Sequence, residues 1–333
     1  VSSERGRIVV TGTGGASGYA VALQAEQYGY EVLWTDADPL CPALLMRPDR
    51  ASVVPLAAEG RGYLNVLAEA AAAFGTTVVS LNTDAEVRYA ASESEAIALA
   101  GLTVWTPDTS TVNICLDKFS FTERVARIGG FRTPRILDYG DVCRDFPSSG
   151  IFVKRRVGSG GTDAVLCLSR LELDAWMARN PDGLIQEVLV GQEFSADCLY
   201  TGSGSPMVVL RKRLRTRAGM STVSETFHDD QLTNSVADLV QALDVRGPSC
   251  VQGFLEWDGV RFTEVNVRFG GGCAAATWGS SHLVEIYLSM LTTGDRRIPD
   301  GVPGRRPRSD IRLIRPLSYV VLALPTVLGS KGL

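Results

Sequence analysis

Histidine and lysine are scarce in this chain of 333 residues. The two histidines, His228 and His282, argue against a histidine-based metal centre. Lysine occurs only at positions 118, 154, 212 and 331, while the rest of the 33 basic residues are arginine. A chain that meets its need for positive charge with arginine, yet keeps lysine at interior positions, marks those positions for attention. No apolar run reaches the roughly eighteen residues of a membrane span, so no membrane association is expected. The seven cysteines (41, 115, 143, 167, 198, 250 and 273) are scattered, odd in number and without a C-x-x-C pair. That argues against zinc and for a reducing, cytoplasmic setting. A net charge of −4 offers no general attraction for nucleic acid or anionic lipid. The polar opening Val1–Arg7 runs straight into a strand, so no secretory leader is expected. What remains is a globular composition, 45% hydrophobic and 21% charged, with length for two or three packed subdomains.

The most informative stretch is Val251–Gly272. It reads as two strands around an Asp258-Gly259 turn. In the second strand Val265, Val267 and Phe269 alternate with Glu264, Asn266 and Arg268. One face is apolar; the other carries a carboxylate, an amide and a guanidinium at two-residue spacing. Hard oxygen ligands beside a planar cationic fork suit Mg2+ next to a phosphate. An ordinary amphipathic hairpin with a charged outer face is the competing reading. A three-residue loop Trp257-Asp258-Gly259, with Gly259 left-handed, would set Gln252 across from Glu264 and complete a cluster of Gln252, Glu264 and Asn266.

Earlier in the chain, Arg7–Thr11, the loop Gly12–Gly18, a helix to Tyr28 and the strand Glu31–Thr35 ending at Asp36 form a βαβ opening. Its glycines suit either a dinucleotide, hence an NAD(P) oxidoreductase, or simply a tight strand-to-helix turn. Residues to about 110 read as an α/β domain with a parallel sheet. A single helix is expected over Val112–Ile128, carrying Asp117-Lys118. The strand Ile151–Val157 contains Lys154 and leads through Gly158–Thr162 into another strand. Such a glycine loop can fold over phosphates with its backbone N–H groups, or be no more than a surface hairpin. The basic run Arg211–Arg217 has no interleaved aromatics, which discounts nucleic acid and leaves a solvated edge or an anion site. Closing strands are expected within Ile311–Leu324.

The order of these parts resembles the ATP-grasp superfamily, most closely its carbamoyl-phosphate-synthase-like branch of ligases. The resemblance is carried by Val10–Gly18, Asp117-Lys118, Val153-Lys154 with Gly158–Gly161, Gln186-Glu187 with Gly191–Glu193, Arg211–Arg213 and Glu264–Gly272. It implies an α/β and α+β fold: an N-terminal Rossmann-like pre-ATP-grasp domain (1–111), an ATP-grasp lid (112–190) and a large subdomain with the metal-binding hairpin and C-terminal strands (191–333). It also implies ATP and Mg2+ as cofactors. By position, Lys118 and Lys154 match the phosphate-contacting lysines, and Ser159, Gly160 and Gly161 the covering loop. Glu187 and the backbone of Leu189 match the adenine hinge, and Glu193 the ribose acid. Gln252, Glu264 and Asn266 match the metal ligands, while Arg268, with Lys154, matches the groups that steady the transferring phosphoryl. The chain departs from the family pattern at Arg155, Val267 and Thr162–Ala164. The activity implied is ADP-forming ligation of a small carboxylate, an amino acid or peptide-like acid, to an amine through an acyl phosphate. A carboxylase or carbamoyl-phosphate-type enzyme is the alternative. Arg213 or Arg217 is expected to hold a substrate carboxylate, with Arg213–Phe227 and Gly270–His282 as pocket-shaping loops. The partners expected are small molecules; a homodimer is compatible with this reading.

Overall fold

The computed structural model describes residues 5–158, 164–217, 219–273, 282–298 and 311–314. Three sheets organise them. The first arises from β1 (Arg7–Val10), α1 (Ala16–Gln27), β2 (Glu31–Asp36), α2 (Pro42–Leu45), β3 (Ala51–Val53), α3 (Arg61–Phe74), β4 (Val79–Ser80), α4 (Asp84–Ser92) and α5 (Ser94–Leu99). Its strands are parallel, in the order β3-β2-β1-β4. The runs Ile8-Val9-Val10 and Val32-Leu33-Trp34 are buried, as strands covered on both faces must be. Because winding reverses between β1 and β4, the loops leaving these two strands flank a crevice of the kind in which open parallel sheets bind ligands.

The helix expected over 112–128 is two helices, α6 (Thr109–Leu116) and α7 (Lys118–Ile128). Asp117 is extended (φ −107, ψ 107), and its carboxylate accepts from the N–H groups of Phe119 and Ser120. The N–H of Lys118 leaves the helical pattern for the carbonyl of Arg156, at 3.1 Å. A capping aspartate with that partner starts a new helix rather than continuing the old one, and it sets Lys118 in the first turn. Both helices pack in the main core through Val112, Leu116, Phe121 and Val125, together with Val251, Phe262 and Val265.

The next segment supplies α8 (Tyr139–Arg144), β5 (Ile151–Lys154), β6 (Val165–Cys167), α9 (Arg170–Met177) and β7 (Leu184–Gln186). Its antiparallel sheet, β6-β5-β7, closes on a separate small core of Val142, Ile151, Val153, Cys167, Leu173, Trp176 and Ile185. Ser159, Gly160 and Gly161 lie outside the described residues.

The largest sheet is antiparallel, in the order β12-β11-β8-β9-β10-β13. It comprises β8 (Gln192–Tyr200), β9 (Met207–Arg217), β10 (Met220–Thr226), β11 (Gly247–Glu256), β12 (Gly259–Asn266) and β13 (Arg312–Ile314), with helices α10 (Asp230–Ala242) and α11 (Leu283–Thr293). The segment expected as a loop from Arg213 is therefore largely the hairpin β9–β10. Its Ser and Thr residues resemble a loop in composition, but the β-branched ones favour a pleated ladder. Leu232, Val236, Leu239 and Val240 of α10 join the core shared with α6 and α7. Leu283, Val284 and Leu288 of α11 instead share a core with Leu199, Val209, Phe269 and the α1 side of the parallel sheet. Of the closing strands expected within 311–324, the described residues contain β13.

The hairpin β11–β12 reaches its register by an unexpected route. Glu256 pairs with Gly259, so the loop is Trp257-Asp258 and not three residues. The extra residue enters further along: Gly253 pairs with Phe262 but Gln252 pairs with Glu264, passing over Thr263. This bulge does what the longer loop was expected to do and brings Gln252 opposite Glu264. It depends on close approach. A Cβ at Gly253 would run into the carbonyl oxygen of Arg261 and stand 2.9 Å from the Phe194 ring. Gly253→Ala is accordingly expected to cost about 1–3 kcal/mol, read as a fall in the urea midpoint. An unchanged midpoint would mean that the bulge tolerates a side chain.

Candidate functional site

A cavity of about 720 Å³ is bounded by residues of all three sheets, within the size range of small-molecule sites. Glu264 and Asn266 reach it from β12, Gln252 from β11, and Arg268 from just beyond β12. Lys118 enters from the first turn of α7, Lys154 from the end of β5, Glu193 from β8 and Arg213 from β9. Glu187 and Leu189 follow β7, and Pro134, Phe152, Leu166 and Phe254 add apolar lining. Arg217 is exposed and is not among the lining residues. The pairing of β9 with β10 slips between Ser221 and Ser224, so Thr216 lines the cavity in place of Arg215 or Arg217. With that irregularity, Arg213 lines the cavity and Arg217 does not.

Two cations and one carboxylate form the centre. Lys118 Nζ lies 3.7 Å from Glu264 Oε2 and donates to the Gly158 carbonyl at 2.8 Å. Lys154 Nζ is 3.5 Å from the Thr263 carbonyl. The Asn266 amide donates to Glu264 Oε1 at 3.1 Å. Burial, the largest influence on Glu264, raises its pKa; Lys118, Lys154, Asn266 and Arg213 together outweigh it and leave the carboxyl below its usual range. For Lys154 burial wins. It lowers the ammonium pKa to about 8, with Lys118 adding to the effect and Glu264 opposing it.

Other charged groups are already paired. Arg213 Nη1 donates to Glu193 Oε1 at 2.7 Å and to Gln252 Oε1 at 2.5 Å, and Nη2 donates to the Gly219 carbonyl. The expectation that Arg213 holds a substrate carboxylate therefore meets a guanidinium committed to protein oxygens. Burial raises the pKa of Glu193, with Glu264 adding to it and Arg213 opposing it. The Glu187 carboxylate accepts from Arg135 N at 2.9 Å and from Arg135 Nε at 2.7 Å, so its side chain is committed to Arg135.

Two lining residues that were given no individual role from the sequence matter to the site, Asp84 and Arg211. Asp84 opens α4 and holds Arg268, with Nε 3.1 Å from Oδ1. Its signal was Thr83-x-x-Glu86, a capping box present in the structure, which places the intervening residue at a helix start. Arg211 is 2% exposed and grips Asp197 with Nε at 2.8 Å and Nη2 at 3.2 Å. A Cβ at Gly272 would collide with Arg211 Nη1, so the Gly270–Gly272 turn lies directly on this pair. The two-residue spacing from Arg213 was the available sign of Arg211.

The N-terminal glycine loop is occupied internally. Gly14 N–H donates to Asp36 Oδ2 at 2.8 Å, and Asp38 N–H to Oδ1 at 3.0 Å. Ser17 Oγ donates to the Phe269 carbonyl at 2.6 Å, which fixes the loop against the segment that follows β12. Among the described residues no three His, Cys, Asp or Glu side chains form a metal cluster. The available donors are Glu264 and the amide oxygens of Gln252 and Asn266. That set fits a hard cation whose remaining ligands come from phosphate and water, as Mg2+ usually has.

Residues 179–309 match the family model described as ATP-grasp in the biosynthetic pathway with Ter operon. Biotin carboxylase from Campylobacter jejuni superposes with TM-score 0.68 at 12% identity, over 91% of this chain and 73% of that one. L-amino acid ligase from Bacillus licheniformis gives 0.65 at 16%, over 87% and 74%. N5-carboxyaminoimidazole ribonucleotide synthetase from Thermus thermophilus gives 0.65 at 19%, over 92% and 81%. No curated protein matches at a significant level. The architecture is the ATP-grasp fold, with a Rossmann-like parallel sheet before it. The segment matched by the family model lies within that fold, and the superposed structures share it.

The buried ammonium of Lys154 gives a stability test independent of function. Its pKa in the fold, about 8, lies below the unfolded value of 10.5. Below pH 8 both states are protonated and the fold carries the cost of a buried charge. Between the two values the unfolded state binds more protons, so stability rises with pH. Lys154→Met should be more stable than wild type at pH 7.5, with the gap closing by on the order of 1–3 kcal/mol toward pH 10. Urea titrations at both pH values check this; a gap that does not narrow would contradict it.

Proposed function

We propose that this protein is an ATP-dependent, ADP-forming carboxylate–amine ligase. The observation that carries the proposal is the convergence of Lys118, Lys154 and Arg268 with the oxygen donors Gln252, Glu264 and Asn266 on one cavity. Three cations suit a polyphosphate, and the donor set suits the ion that accompanies it. The nucleotide lies with its base at the apolar lining near Phe152 and Phe254 and at the backbone of Leu189, its ribose at Glu193 and its phosphates at Lys118 and Lys154.

A carboxylate is a poor electrophile because its charge repels a nucleophile. Phosphorylation by ATP gives an acyl phosphate and ADP; the amine then attacks the acyl carbon and phosphate leaves. Mg2+, when bound at Gln252, Glu264 and Asn266, neutralises phosphate charge. Lys154 supplies a fixed positive charge that needs no reorganisation, since its site is already desolvated. Arg268 steadies the transferring group once it parts from Asp84. Enclosure keeps water from the acyl phosphate. The acid is a small one, an amino acid or peptide-like, lying toward the crevice between Ser17 and Asp84. Seven free cysteines support a reducing, cytoplasmic setting; no described helix is long and apolar enough to cross a membrane. Dinucleotide binding at residues 12–18 is disfavoured because the oxygens of Asp36 already accept from the N–H groups of Gly14 in the loop and of Asp38 beyond β2.

Hydroxylamine intercepts an acyl phosphate. A screen of amino acids and small acids with ATP, Mg2+ and hydroxylamine should yield a hydroxamate and one ADP for the true acid. AMP with pyrophosphate would contradict phosphoryl transfer, and turnover restricted to bicarbonate would favour a carboxylase.

A further inference from the structure

Arg213 sits among the residues to which the proposed function gives nucleotide and metal roles. Its Nη1 is 2.7 Å from Glu193 Oε1 and 2.5 Å from Gln252 Oε1, and Nη2 donates to the Gly219 carbonyl. Gln252 has a single oxygen, and its amide nitrogen cannot ligate a hard cation. A guanidinium against that oxygen repels a divalent ion from it. The surrounding charge points the same way. Around the donor oxygens, Glu193 and Glu264 face Lys118, Lys154 and Arg213, one positive charge in excess among these five, while Asp36 and Arg155, further along the lining, offset each other. Arg211 with Asp197, and Arg268 with Asp84, are neutral pairs. A bare divalent ion would enter a site that is already cationic, whereas a triphosphate would enter one that attracts it. Arg213 Nε, in addition, is buried without a hydrogen-bond partner. A desolvated donor left unmet is costly, so this pose is one that an incoming ribose or phosphate oxygen can improve.

We propose that Arg213 is the resident cation of the metal site. In the nucleotide-free protein it engages the oxygens of Glu193 and Gln252, and a divalent ion binds there only together with a nucleotide triphosphate that draws the guanidinium away. The inference rests on the nucleotide and metal reading of this cavity. It makes Arg213 a residue that sets the order of binding, not one that touches the reacting atoms.

Mn2+ is the probe, followed by the electron paramagnetic resonance signal of the free ion, with a non-hydrolysable ATP analogue as nucleotide. Wild-type protein should leave the Mn2+ signal unchanged when alone. It should deplete the signal, beyond what the analogue does by itself, when the analogue is present. Arg213→Gln should bind Mn2+ without nucleotide about tenfold or more tightly than wild type, because the opposing charge is gone. Arg213→Lys keeps a cation and should still exclude the free ion. Mn2+ uptake by wild type without nucleotide overturns the inference, whatever the variants do. So does an Arg213→Gln protein that melts like wild type and binds the analogue, yet gains no affinity for free Mn2+. These two results leave the nucleotide reading standing; a wild type that binds no analogue, with or without Mn2+, overturns both.

Discussion

A single strand has to satisfy two environments at once, and the rest of the site depends on its doing so. Val265 and Val267, the latter just past the end of β12, are 1% and 2% exposed and anchor the hairpin in the core beneath α6, α7 and α10. Glu264 and Asn266, on the alternate positions, face the cavity. Period-two alternation makes this division possible, and only one register lets Gln252 join Glu264. The Gly253 bulge selects that register. With the two-residue turn alone, Gln252 would lie on the opposite face.

Charge follows from this placement. Glu264 is the one carboxylate among the expected metal donors, and it is drawn below its usual pKa by cations brought from two other elements, α7 and β5. Neither element would place a lysine here by itself. Asp117 has to break a continuous helix so that Lys118 falls in a first turn, and the small sheet β6-β5-β7 has to pack so that Lys154 is buried at the end of β5. The result is a site whose parts constrain one another: a carboxylate stabilised by lysines, and a lysine whose charge is held at a cost in a buried place. Mutual compensation of this kind suits a ligand that carries both negative phosphate and a divalent ion.

The sequence was most legible where periodicity and residue scarcity coincide. Alternation in 264–269 located the charged face, and the shortage of lysine singled out positions 118 and 154. It was least legible where one side chain redirects the backbone. Asp117 lies within a helical pattern, and nothing in periodicity marks it as a cap beside a backbone partner, Arg156, that is distant in sequence. The space at Gly253 is closed by the Arg261 carbonyl and the Phe194 ring, neighbours across strands that no local pattern records. The slip in β9–β10 likewise turned Arg217 away from the cavity. Arg213 showed a different limit. Its place in the cavity was readable, but its partners, Glu193 and Gln252, are fixed by the assembly of three strands.

The central claim is that stability and chemistry are carried by alternate residues of one strand, and a pair of isosteric or near-isosteric changes tests it most directly. Glu264→Gln and Val265→Gln should be compared by melting temperature and by affinity for an ATP analogue with Mg2+. The first removes a charge from the cavity face and should keep the wild-type melting temperature while losing Mg2+-dependent affinity. The second places an amide in the core and should lower stability by roughly 1–3 kcal/mol or more, with affinity retained in the folded fraction. The reverse pattern, an unfolded Glu264→Gln beside a stable Val265→Gln, or full Mg2+-dependent affinity in Glu264→Gln, would contradict the account.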